Sequence, residues 1–205
     1  MQNVKTAAFW QIIAVLFLLA AVSHVPGQTS AAKNDKPQAI LFASWSENQS
    51  TPARRISESR SGFSAVKSAK FNLAPNSLER EAFDLINAAR RKANLPPLVL
   101  DAEMLYLARE HSETMANSGN FTHRGARGEM VDERARNIGI TDWRGIGENI
   151  AANQSSKNPV AMAIECWLNS EGHRRNLFSN DWTRSGIGVA VSPDGKYYFT
   201  QVFRD

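Results

Sequence analysis

Cysteine is almost absent from this 205-residue chain: Cys166 stands alone, so no intramolecular disulfide can form. A disulfide-free domain outside the cytoplasm must be held by its core, which favours a bacterial periplasmic or surface protein over a small stapled scaffold. Cys166 lies beside Trp167 in an apolar helical stretch and reads as a buried, inert thiol. The chain has no His-Glu-x-x-His zinc-protease signature and no glycine-rich phosphate loop. Ser170 lacks a nucleophile-elbow context, which argues against covalent serine catalysis. No internal repeat is evident.

Long apolar runs are scarce as well. One spans residues 7–22, broken by Gln11, preceded by Lys5 and followed by small or turn-forming residues. That is the layout of an export signal over residues 1–23, with Ala21-Val22-Ser23 or Thr29-Ser30-Ala31 as cleavage sites. An uncleaved membrane anchor is the alternative, although the run is short for a full span. In either case the remainder is expected to be secreted, periplasmic or held at the cell envelope.

The net charge of +4 is unevenly spread. Residues 1–75 carry eight Lys/Arg against three Asp/Glu, whereas residues 76–205 carry sixteen against seventeen. The basicity belongs to the N-terminal third, so the rest has no field suited to nucleic acid. Residues 24–75 are rich in Ser, Ala, Lys, Asn and Gln and read as a flexible basic linker with room for one short docked segment.

Order is expected from residue 76 to 205. Asn76 followed by Glu79 resembles a capping box, and Leu78, Ala82, Leu85 and Ala89 form the stripe of an amphipathic helix ending near Ala93. Pro96-Pro97 stops it, and Leu98-Val99-Leu100 runs extended into Asp101, a second N-cap. The next helix, 102–117, puts His111 on its apolar face, where a hydrogen-bonded core histidine is the plainer reading than a ligand. A short helix over 130–137 precedes an extended stretch through Trp143 to Ile150, and Asn158-Pro159 opens a fourth helix. Residues 186–191 and 197–203 flank Ser192-Pro193-Asp194-Gly195, a hairpin signal. Four helices and about three strands argue a layered α+β domain with helices covering an antiparallel sheet.

The chemistry-bearing residues cluster in Phe121-Thr122-His123, Gly147-Glu148-Asn149-Ile150 and the run from Trp167-Leu168-Asn169-Ser170 through Glu171-Gly172-His173 to Arg174-Arg175-Asn176-Leu177. With Gly186-Ile187-Gly188-Val189 and Phe199-Thr200-Gln201-Val202-Phe203 following in order, residues 77–204 resemble the CAP superfamily of cysteine-rich secretory, antigen 5 and pathogenesis-related 1 proteins. The likeness is to its bacterial, SCP-like extracellular branch. It implies a three-layer α-β-α sandwich with a central antiparallel sheet and a cavity that, in animal and plant members, is lined by two histidines and two glutamates able to hold a divalent cation. His123 and Glu148 match the first of each. Ser170 stands at the second glutamate and Tyr198 at the second histidine, while His173 belongs to the bacterial motif.

The resemblance therefore implies a cavity of His123, Glu148, Ser170, His173 and Tyr198. Two imidazoles and a carboxylate would suffice for zinc or another divalent cation on His123 and His173, with Glu148 as general base toward a bound water. The plainer alternative is that these groups hydrogen-bond one another and the backbone, and that Arg174 and Asn176 tie down the loop after the helix. The leading expectation is a non-enzymatic or weakly enzymatic monomer binding a small ligand, lipid, peptide or cell-wall component. A metal-dependent hydrolase and a structural envelope domain are the competing readings.

Overall fold

A computed structural model describes residues 43–48 as backbone, together with 71, 73–155 and 157–205, all within the unit Pro37–Asp205. Helix α1, Ser77–Lys92, opens on the expected box: the Asn76 side chain accepts the Glu79 N–H at 3.0 Å and the Glu79 carboxylate accepts the Asn76 N–H at 2.8 Å. Strand β2, Val99–Leu100, leads to Asp101, whose carboxylate accepts the N–H groups of Glu103 and Met104 and starts α2, Ala102–Ser118. Gly119 ends α2 at φ 72°, a left-handed position that costs glycine little. Helix α3, Val131–Asn137, and strand β3, Gly145–Asn153, follow.

The expected fourth helix is two. Ser170 adopts an extended conformation and separates α4, Pro159–Asn169, from α5, Glu171–Leu177. Strands β4, Arg184–Val191, and β5, Tyr197–Arg204, form the predicted hairpin, closed by the Ser192 N–H on the Lys196 carbonyl with Gly195 at φ 81°.

The sheet is wider than the sequence suggests. Its order is β1-β3-β5-β4-β2, where β1 is Ala43–Asn48. The centre is antiparallel, as expected, but β2 pairs parallel to β4 at one edge. At the other edge β1 lies antiparallel to β3, with Trp45 opposite Glu148 in register. Part of the stretch read as linker is thus a strand of the sheet. Phe71 also belongs to the fold, 5% exposed and edge-on to Tyr106 at 5.2 Å.

Strand alternation divides the interior into two layers. Ile146, Glu148 and Ile150 of β3, with Tyr198, Thr200 and Val202 of β5, face α2 and α3. Asn149 and Ala151, with Phe199 and Phe203, face α1, α4 and α5, where Trp167 is fully buried and donates its indole N–H to the Ile150 carbonyl at 3.0 Å. The result is an α-β-α sandwich. Its thinnest point is where α2 lies on β4: a Cβ at Gly186 would collide with the backbone of Met104 and Leu105, and one at Gly188 with that of Ala108 and Arg109. Because backbone cannot rotate away as a side chain can, Gly188→Ala is expected to destabilise the domain by about 1–3 kcal/mol or more through overpacking. Urea unfolding measures this, and an unchanged midpoint would show that α2 can lift off the sheet.

Candidate functional site

Four polar side chains from four different segments meet on the α2 face of β3. Glu148 is placed there by alternation, two residues from Ile146 and Ile150, and is fully buried. His111 comes from the sheet-facing side of α2, one helical turn before Met115. His123 comes from the segment following Gly119, and Arg134 from α3, one turn on from Val131.

The Glu148 carboxylate organises the group. Its Oε1 accepts from His123 Nδ1 at 2.8 Å and lies 3.7 Å from His111 Nε2. Its Oε2 is held by the Arg134 guanidinium through Nη2. His111 Nε2 is itself within 2.8 Å of the Thr122 carbonyl, which ties α2 to the segment carrying His123. Arg134 and His123 are only 12% and 11% exposed, so these are interior pairs and are weakly screened by salt.

The charge states follow from these neighbours. Burial pushes the Glu148 carboxyl upward, but the Arg134 guanidinium, then His111 and His123, outweigh it and hold the pKa at about 2. Burial lowers His111 to about 4, with Arg134 adding to the effect against the opposing pull of Glu148. At neutral pH the centre therefore holds an ionised carboxylate, a guanidinium and a neutral His111. Cys166 behaves as the sequence suggests: it is buried, and burial followed by the nearby Glu165 raises its thiol to about 11.

A cleft of about 290 Å³ opens beside this centre. Tyr106 and Leu107 of α2, Ala126 and Ile138 line it, and His111 and Arg134 belong to its wall.

The family model for the cysteine-rich secretory protein (CAP) family matches residues 83–203, the stretch that contains both layers and the whole centre. This chain belongs to the CAP family. Two Bacillus subtilis (strain 168) proteins are similar to it: the membrane protein YlbC, 37% identical over 139 residues, and YkwD, 31% identical over 137 residues. These stretches are 68% and 65% of this chain but only 38% and 52% of the relatives, so the match spans about half their length or less. Among solved structures, an extracellular SCP-domain protein of Bacillus anthracis superposes with a TM-score of 0.55 at 32% identity, over 66% of this chain and 43% of that one. An outer surface protein of Borrelia burgdorferi shares the fold, with a TM-score of 0.58 at 20% identity over 65% and 96% of the two chains.

Within this CAP domain the expected cavity set is divided by the sheet. His123 and Glu148 meet as anticipated, and Tyr198 shares their face, packed with Met115, Ala116, Ile150 and Ala152. His173 does not join them. It lies on α5, whose buried residues are His173, Asn176 and Leu177 and which packs on the opposite face of β3 from Glu148. There the Asn149 amide donates to the His173 carbonyl at 3.2 Å, and Asn176 donates to Asn149 Oδ1 at 2.9 Å. Ser170 sits at the α4–α5 junction in that same layer. The expected pairing of His123 with His173 on a metal is corrected by this placement, because adjacent residues of one strand point to opposite faces. Arg174 and Asn176 act as expected, Arg174 donating to the Leu168 carbonyl at 3.0 Å.

Two members of the centre lie outside the expected set of site residues. The sequence marks His111 as a core histidine but not as a neighbour of Glu148. Arg134 carries a fainter signal, as a basic residue on a helix face otherwise carrying Val131, a pattern that asks for a buried partner. Arg134 also bears on metal binding. Among the described residues, no group of three or more His, Cys, Asp or Glu side chains is arranged to hold a metal ion. A divalent ion on Glu148 would share its carboxylate with a guanidinium, and two unit charges 4 Å apart repel by about 4 kcal/mol at an effective dielectric near 20. The residues as arranged do not fit zinc.

Two outcomes follow for stability. Glu148→Ala strands the Arg134 charge in the interior and is expected to cost about 3–5 kcal/mol in urea unfolding. A loss below 1 kcal/mol would mean that the guanidinium finds solvent. Both His111 and Glu148 have folded-state pKa values below their ordinary values of 6.5 and 4.5, so the unfolded chain binds more protons than the native one. Stability should be complete above pH 6.5, fall from there to about pH 4 through His111, and fall further from pH 4.5 toward 2 through Glu148. His111→Gln should flatten the upper part of that decline. An unaltered pH profile in this variant would remove His111 from the account.

Proposed function

We propose that this CAP domain is an exported binding module that works without a metal and without hydrolysis, taking a small ligand in the cleft between α2 and the segment leading into α3. The observation that carries the reading is the state of Glu148. It is fully buried, and both its oxygens are engaged, one by His123 and one by Arg134. A general base must reach the proton it removes and titrate near the working pH. Glu148 meets neither condition, so its role is to hold the wall of the cleft together.

The cleft mixes apolar contact with polar and charged groups, Glu110, Arg127 and Glu129 among them, and so suits a small amphipathic ligand. Leu107, Ile138 and Ala126 offer apolar contact, while His111 and Arg134 supply polar character in the same wall. Its volume of about 290 Å³ is at the lower end for small-molecule sites, in keeping with a short acyl chain or one or two amino-acid residues. Export is supported by the apolar run at residues 7–22, outside the described residues, and by the extracellular and membrane descriptions of the relatives. Among the described residues no helix is long and apolar enough to cross a membrane.

Decanoate, decanol and N-acetyl-leucinamide, titrated separately into the purified protein and followed by NMR, test this reading. At least one should bind saturably with shifts confined to α2 and residues 122–138, unaffected by EDTA. Ala126→Trp, at the exposed rim of the cleft, should abolish the response without lowering the melting temperature. Binding that survives Ala126→Trp, or no response to any of the three probes, would overturn the proposal.

A further inference from the structure

We propose that Phe71, on the chain ahead of α1, sets how large an apolar body the cleft accepts, by propping the Tyr106 ring in place as part of the cleft wall. The inference rests on the reading of the cleft as a ligand site and names the positioning residue that limits ligand size there.

Tyr106 has two roles at once. It is half-buried and lines the cleft, with Leu107 beside it on α2 and Ile138 just after α3. Phe71 meets the same ring edge-on, with centroids 5.2 Å apart and planes at 78°, an arrangement that aromatic pairs favour. Phe71 is 5% exposed and belongs to the apolar cluster that includes Met104, Leu107 and Val131. Tyr106 and Ile138 pack against that same cluster. The Phe71 ring is therefore a buttress to the cleft wall and not a lining residue itself.

The buttress is held in place by its own segment. The Leu73 N–H returns to the Phe71 carbonyl at 2.9 Å and turns the chain. Arg109 donates Nη2 to the Ala74 carbonyl at 2.8 Å and Nε to Glu79 Oε1 at 2.7 Å. Tyr106 and Arg109 are three residues apart on α2, so their side chains stand next to each other on one flank of the helix. The chain leading into α1 is laid along that flank. The family model begins at residue 83, so the side chain that limits the cleft comes from sequence ahead of the matched stretch. Removing the Phe71 ring leaves a void that its surroundings refill only in part. Tyr106 can then lean into that void, and the cleft gains depth.

The test titrates octanoate, decanoate, dodecanoate and tetradecanoate, each below its micelle-forming concentration, into wild type and Phe71→Ala by calorimetry. In wild type, affinity should rise roughly 4-fold per added methylene and then level off at a limit. In Phe71→Ala the rise should continue for about two further methylenes, because those carbons are now buried. Benzene enters apolar cavities of ring size, so it should return Phe71→Ala to the wild-type limit and raise its melting temperature. A purely structural role for Phe71 would instead lower affinity by one common factor at every length. That outcome would overturn the assignment, as would an unshifted limit or a shift that benzene does not reverse. Should Phe71→Ala not fold, Phe71→Leu replaces it, with an expected shift of about one methylene. Decanoate bound by wild type with the limit unmoved in the variant would sink this inference and leave the cleft reading intact. Binding of N-acetyl-leucinamide with no alkanoate bound by either protein would do the same. Loss of every probe would remove both.

Discussion

A carboxylate buried in the middle of a sheet face is the constraint from which the rest of this domain follows. An ion taken out of water carries a penalty of several kcal/mol, which only an opposite charge with good geometry and further hydrogen bonds can offset. Glu148 obtains these from three separate pieces of chain: α2 through His111, the segment after Gly119 through His123, and α3 through Arg134. Residues 119–130 have little regular structure of their own, and they are pinned by this contact, by the Thr122 carbonyl on His111 and by Phe121 against the cluster that holds Met115 and Ile150. The electrostatic requirement of one side chain thus positions a loop, and the loop forms one side of the cleft.

The next residue solves a different problem on the opposite face. Asn149 is also fully buried, but it is neutral and is satisfied by the α5 backbone and by Asn176. A buried charge of that layer is Arg90, 1% exposed. It donates to the carbonyls of Pro96, Leu177 and Ser179, at 2.9, 2.7 and 3.0 Å. Leu177 and Ser179 lie where α5 ends, and orphan carbonyls there present partial negative charge. Burial lowers the Arg90 pKa, and the three carbonyl dipoles offset that cost. One face of β3 therefore balances an ion against an ion, and the other balances an ion against the backbone. This explains why Gly147-Glu148-Asn149 stands out in the sequence: each polar residue anchors a different layer.

What could be read in the sequence was whatever is decided locally. The Asn76 and Asp101 caps, the Gly119 stop and the turn through Gly195 depend on a few neighbouring residues, and the structure has each where its signal lies. Alternation even places Glu148 and Asn149 on opposite faces. The packing of α5 on the Asn149 face is decided by topology, and so the partnership of His123 with His173 could not be judged from spacing. Strand β1 escaped for another reason. Its segment, Ala-Ser-Trp-Ser-Glu-Asn, alternates over only four residues, and its pairing depends on the edge of β3, more than ninety residues further along the chain. Arg134 was legible in principle as a basic residue on the buried side of a short helix, but its partner lies on a strand and only the fold brings the two together.

In this CAP domain His123 and Glu148 meet, and what the carboxylate can do depends on its other partners. A base works when it is reachable and titrates near the ambient pH, which favours partial burial and a raised pKa. A structural charge works when it is inaccessible and remains ionised under all conditions the protein meets, which favours full burial and a strong counter-ion. These demands conflict for a single side chain, and Arg134 decides between them. Against the burial that raises it, Arg134 on Oε2 is the largest of the contacts, with His111 and His123, that hold the Glu148 pKa at about 2. Identity at the matching positions therefore carries less information than the partner at the next position outward, and here that partner is a cation the protein supplies itself.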